Sequence, residues 1–311
     1  MGYAHPRQRK FGVASRKEKL VRDFYGFDFP DDFFRFQEFM ERLPPGILAE
    51  VCDMRPAFPF DLAVGRPPED FPEHPFWQDR YYNDLPEFVT LFNGTTDGLH
   101  YGYFFDSPKE HPPVVVEYWH SDTIEHAIGG DNLFEATRWI VEKVESDCHD
   151  YAADEDEEDA YEEKFAQIAF LRQQLSRFWG ADRRQTGEDY LDEFDGSEWR
   201  EPAANTWDQL GIIVPRGRYR KLSADPFAGS RADPKRRQIE KLTAEAMELL
   251  QKGYPGAALK LGRDLWPWAQ QFPECYLLLE AAYQALGREP LRRLMTEARA
   301  FREHADNRRS R

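Results

Sequence analysis

Gly102-Tyr103-Phe104-Phe105-Asp106-Ser107-Pro108 is the stretch on which the fold turns. Tyr101 to Phe105 is an aromatic run of high β-propensity, and Asp106-Ser107-Pro108 stops it with turn chemistry. The pattern predicts a strand running into a turn. Downstream, Val114-Val115-Val116-Glu117-Tyr118-Trp119 predicts the next strand, and Ile124 to Ile128 a short one ended by Gly129-Gly130-Asp131-Asn132. Asp131 or Asn132 offers an oxygen to the free N–H groups of a helix starting near Leu133. In that helix Phe134, Thr137, Trp139, Ile140 and Val144 roughly keep helical spacing, so one face can lie on the sheet. Upstream, Phe88 to Phe92 is a further strand, closed by Asn93-Gly94. Strands in series followed by helices point to an α+β protein rather than alternating βαβ units.

The rest of the chain arranges itself around this sheet. Residues 1–22 are rich in Arg and Lys and read as a flexible basic tail. Pro30-Asp31-Asp32 starts a helix whose apolar face is Phe33, Phe36, Phe39, Met40 and Leu43. Leu48 to Val51 and Asp61 to Val64 read as strand or loop edges, and Arg66 to Pro75 as a surface loop. Glu145 to Glu163 is strongly acidic and reads as a solvated linker, after which Phe165 to Phe178 restores helical periodicity. Leu210 to Pro215 predicts a short junction strand. Beyond it Ile239 to Leu250, Ala257 to Trp266, Cys275 to Leu286 and a segment starting at Pro290 predict four helices. The expected architecture is an N-terminal, mostly antiparallel β-sheet with packed helices, followed by an all-α helical C-terminal domain. Its segments are 1–22, an α/β domain at 23–145, an acidic linker and helix at 146–205, and the junction strand with the helical domain at 206–311.

At 311 residues, 41% hydrophobic and 15% aromatic, the chain can bury a sizeable core. A net charge of −16 disfavours wrapping a phosphate backbone, so nucleic acid is not the expected partner. Cys52, Cys148 and Cys275 make neither a disulfide framework nor a zinc spacing, as suits a reducing compartment. No apolar run approaches a membrane span or a signal core, so the expectation is a soluble intracellular protein, cytoplasmic, or nuclear if eukaryotic. His100, His111, His120 and His126 lie near one another but match no ligand spacing, and no glycine-rich phosphate loop or nucleophile motif is present. Neither metal nor cofactor is expected. The outstanding polar cluster is Arg216-Gly217-Arg218-Tyr219-Arg220-Lys221, a set of planar donors beside an aromatic. It suits a carboxylate, a chain terminus or a phosphate, or else simply keeps an exposed edge from aggregating.

Several of these motifs, in this order, resemble the histone PARylation factor family. They are Phe24-Tyr25-Gly26-Phe27-Asp28-Phe29-Pro30-Asp31-Asp32-Phe33, Pro59-Phe60-Asp61-Leu62, Tyr81-Tyr82-Asn83-Asp84-Leu85-Pro86-Glu87-Phe88, Gly102 to Pro108 and Gly130-Asp131-Asn132-Leu133-Phe134. Gly211 to Pro215 before Tyr219-Arg220-Lys221-Leu222, and Leu259-Lys260-Leu261-Gly262-Arg263-Asp264-Leu265-Trp266, extend the likeness in pieces. The resemblance implies an α/β domain before a helical one and binding to the catalytic domain of a poly(ADP-ribose) polymerase. There a carboxylate supplied in trans acts as general base on a serine hydroxyl. It also implies that Tyr219 and Arg220, with Arg218 beside them, grip the partner. Gln251 stands where the family carries its glutamate, and an amide cannot take the proton; Glu248, about one helical turn back, is the nearest acid. A rival reading is an acidic immunity or antitoxin protein that covers a basic toxin, a task needing no catalytic group.

Overall fold

The computed structural model of the chain describes residues 15–71, 74–95, 98–119, 132–155, 158–179, 200–227 and 235–309. Its centre is a four-stranded sheet in the order β1-β2-β3-β4: Arg55–Pro56, Phe88–Asn93, Leu99–Phe104 and Val114–Trp119. All neighbouring pairs are antiparallel. The sequence places β2, β3 and β4 to within two residues. Ile124 to Ile128 and Asp131 lie outside the described residues.

Every residue of β3 is buried, so both faces of the sheet are covered. Tyr103 points to one face, where its hydroxyl donates to Asp32 at 2.6 Å and its ring lies 6.0 Å from Phe29. His100 and Phe104 point to the other, towards Tyr118 and Arg263. In β2, Phe88 and Phe92 would share a face by simple alternation. A register shift between Thr90 and Phe92 separates them: Phe88 stacks on Tyr118, while Phe92 meets Phe36 and Phe60. Gly102 faces Phe88 so closely that an added Cβ would lie 2.1 Å from the Val89 carbonyl oxygen.

The first face is covered by α1 (Arg16–Tyr25), α2 (Asp31–Met40), α3 (Ile47–Cys52) and α4 (Pro59–Ala63); α5 (Pro75–Gln78) follows. Helix α1 replaces the C-terminal part of the expected flexible tail. Ser15 and Glu18 close a reciprocal cap at its start, and Val21 and Tyr25 are buried. Helices α3 and α4 occupy the segments read as strand edges, because a helix of five or six residues is too short to display its period.

Helix α6 (Leu133–Glu155) begins as expected, with Asn132 Oδ1 accepting from the N–H groups of Phe134 and Glu135 at 3.0 and 3.1 Å. It then runs on through the first half of the acidic stretch, and α7 starts at Glu158 and continues to Trp179. Helix here replaces the solvated linker, since Cys148, Ile168, Leu171 and Leu175 give the pair a buried side despite the charge. The C-terminal helices are α8 (Arg236–Gln251), α9 (Pro255–Leu265), α10 (Glu274–Ala285) and α11 (Glu289–Arg309), as the pattern predicts. They share one continuous hydrophobic core with the sheet. Among the described residues no helix is long and apolar enough to cross a membrane.

Candidate functional site at the junction

The segment read as a junction strand makes only an isolated bridge, Ala204 with Ile212. Gly211 at φ 65° breaks the extended run, and side chains take over the work of a ladder. Asp208 accepts from the Thr206 hydroxyl and from the Leu210 N–H, and Gly211 N–H donates to Thr206 Oγ1 at 2.8 Å. Arg263 of α9 then reaches Asp208 at 2.6 Å and the Gly211 carbonyl, and Arg288 donates to the Ile213 carbonyl at 2.6 Å. Arg200 makes a forked contact with Asp106 at 2.7 and 3.0 Å. Burial works against the charge on Arg263, but Asp208, Glu87 and Asp106 outweigh it and raise its pKa. Buried Glu87 is pushed up by desolvation, with Arg263 opposing.

Held this way, the chain turns at Gly217 (φ 80°) and lays residues 218–220 across the start of α9. The half-buried Arg218 donates to the Ala285 carbonyl at 3.1 Å, while its own carbonyl accepts from Gly256 N–H at 3.0 Å. Tyr219 is half-buried, and desolvation raises its phenol pKa despite nearby Lys260. Arg220 is exposed, and its guanidinium sits 5.7 Å from the centre of the Tyr254 ring, within cation–π range. On the far side Ser223 N–H donates to Glu245 of α8 at 2.7 Å.

Glu248 lies on the last turn of α8, fully exposed. Its carboxylate is engaged by Lys252, and that hydrogen bond and charge hold its pKa below the ordinary glutamate value. The structure therefore gathers Arg218, Tyr219 and Arg220 against the α8–α9 corner, with Glu248 one turn before it and Gln251 exposed at the helix end. The roles of Tyr254 and Gly256 are not apparent in the sequence, where Gly253-Tyr254-Pro255-Gly256 reads only as a helix break. An aromatic directly after a helix end was the available signal.

The histidine group resolves differently. His100 is fully buried, its Nε2 2.9 Å from Asp84 Oδ1 and its Nδ1 3.0 Å from the Gly98 carbonyl, so both nitrogens serve the fold. His120 and His126 lie outside the described residues. Among the described residues no group of three or more His, Cys, Asp or Glu side chains is arranged to hold a metal.

Comparison with known proteins bears on the same stretch. The chain is 32% identical over 141 residues to Histone PARylation factor 1 of Mus musculus, covering 42% of this chain and 40% of the relative. The same-named protein of Danio rerio is 31% identical over 135 residues, covering 41% and 38%, and that of Bos taurus 32% over 143 residues, covering 42% and 40%. The chain thus spans about 40% of the length of the curated relatives it matches. The family model of Histone PARylation factor 1 matches residues 15–226, a stretch holding Arg218, Tyr219 and Arg220 and ending before Glu248. With more than half of its length inside that match, the chain belongs to the histone PARylation factor family.

Proposed function

We propose that the chain is an accessory factor in protein ADP-ribosylation, binding the catalytic domain of an ADP-ribosyltransferase of the poly(ADP-ribose) polymerase class inside the cell. The observation that carries this reading is the exposed Arg220 guanidinium braced on Tyr254, within the stretch that matches the family. A planar cation held over an aromatic ring keeps its outward N–H groups free for a carboxylate or chain terminus of the partner. Tyr219 and Arg218 complete the contact. The relatives are named for PARylation of histones, and the proposal extends to this chain a role in such modification.

Glu248 is the candidate base. Lys252 occupies one of its carboxylate oxygens, Oε1, leaving the other to accept a serine proton, and the lowered pKa makes it a weaker base than a free glutamate. Gln251 can accept a hydrogen bond but cannot take up the proton, so the proposal separates binding from chemistry. Binding belongs to residues 218–220, and base catalysis to Glu248 if the chain performs it.

The test is a pulldown with a poly(ADP-ribose) polymerase catalytic domain, followed by assay of serine-linked ADP-ribose. Binding that is weakened by Arg220→Ala supports the accessory role. New serine modification, lost in Glu248→Gln with binding retained, supports the base. Binding without modification leaves a partner-binding scaffold and removes Glu248 from the mechanism. No binding overturns the proposal.

A further inference from the structure

The partner-contact loop is tied down at both ends, and at its middle it rests on a residue with no side chain. Gly256 occupies the first turn of α9, where its N–H donates to the Arg218 carbonyl at 3.0 Å. A Cβ at this position would lie 3.1 Å from the Arg218 carbonyl oxygen, 3.1 Å from Tyr219 Cβ and 3.2 Å from Tyr219 Cα. These are tighter than ordinary contacts, and the atoms met are main chain or next to it, so no flexible side-chain end can swing away. Nor can the loop easily retreat. Arg218 is held at Ala285 and Ser223 at Glu245, with Leu222 buried between.

Nothing in the helix itself asks for glycine at 256. Its φ is not in the left-handed region, and alanine is the better helix former. The space is kept for the loop. We infer that Gly256 is a positioning residue for partner binding: its missing side chain lets Tyr219 and Arg220 seat on the α8–α9 corner, with Arg220 over Tyr254. This inference rests on the partner-contact reading above, and it assigns to Gly256 no contact with the partner.

The test measures affinity of the full chain for a poly(ADP-ribose) polymerase catalytic domain in Gly256→Ala, alone and combined with Tyr219→Ala/Arg220→Ala. The expected result is a loss of about tenfold in a chain that still folds, its Tm lowered by no more than a few degrees. That loss shrinks in the combined variant, because the methyl acts mainly by displacing the two side chains already removed, with only Arg218 left to feel it. Glu245→Ala, which frees the Ser223 end, is a second route to the same loosening and is expected to lower affinity as well. Wild-type affinity in Gly256→Ala, while Tyr219→Ala/Arg220→Ala binds weakly, overturns the inference and leaves the contact reading standing, whatever Glu245→Ala does. A Gly256→Ala loss that persists in full in the combined variant also overturns it. Unchanged affinity in Tyr219→Ala/Arg220→Ala removes the contact reading, and the inference with it.

Discussion

The guanidinium of Arg263 lies 2.6 Å from the carboxylate of Asp208, and each side chain is only 2% exposed. The same guanidinium sits 4.8 Å from the Phe104 ring centre, so one α9 residue joins the junction turn to the central sheet. Breaking a buried pair by removing one partner leaves the other charge stranded. Arg263→Met is therefore expected to cost about 3–5 kcal/mol in urea unfolding. Arg263→Lys keeps the charge but loses the forked reach to Asp208 and Gly211, and its midpoint should fall between the two.

Asp32 gives a pH signature. Its buried carboxyl accepts from Tyr103 OH at 2.6 Å and Leu133 N–H at 2.9 Å, and desolvation outweighs these bonds to lift its pKa from 3.8 to about 6. A carboxyl raised in the folded state favours folding when protonated. Its contribution is fully present below the unfolded value and is lost as pH rises through about 6. Asp32→Asn can accept the same two bonds without the charge. The stability difference between variant and wild type should grow in the variant's favour from pH 4 to pH 7, by up to roughly 3 kcal/mol. Paired thermal melts across that range check it, and a flat difference would count against the buried-carboxyl account.

Gly102→Ala is expected to be among the most damaging single-methyl changes. The new Cβ would sit 2.1 Å from the Val89 carbonyl oxygen and 2.8 Å from the Phe88 ring, in a strand whose every residue is buried. Either β2 and β3 part or the ladder shifts, at a cost of about 4 kcal/mol or more. Loss of soluble expression or a large fall in Tm is the expected readout.

Lys252→Ala separates electrostatics from stability. The Lys252–Glu248 pair is exposed at both ends, so its removal should leave the unfolding free energy almost unchanged. The Glu248 pKa should nevertheless rise toward the ordinary glutamate value, since Lys252 is what lowers it. A carboxyl NMR titration reads this directly.

What the sequence made legible were the parts governed by local pattern. The aromatic strand at Tyr101, the valine strand at Val114 and the C-terminal helices all announce themselves by period and by punctuation. Short helices such as Pro59–Ala63 escaped because one turn has no period, and the acidic helices escaped because charge density masked a sparse buried stripe. At the site, Arg218, Tyr219 and Arg220 stood out through composition and resemblance. Tyr254 and Gly256 did not, because their parts depend on a loop more than thirty residues earlier in the chain folding back on them. The buried pair of Arg263 with Asp208, 55 positions apart, is likewise a product of tertiary structure and leaves no local trace.

The seam between sheet and helices is written largely in main-chain acceptors. Arg302 donates to the carbonyls of Tyr82 and Trp266, Arg288 to that of Ile213, and the Trp266 indole to those of Asn83 and Asp84 at 2.9 and 3.0 Å. A carbonyl is present whatever residue carries it, so mutational tolerance should be lopsided across the seam. In a saturation library sorted for folded protein, the donors Trp266, Arg288 and Arg302 should accept almost no replacement. The acceptor positions should tolerate more changes of identity than the donors, since any replacement still offers the same oxygen.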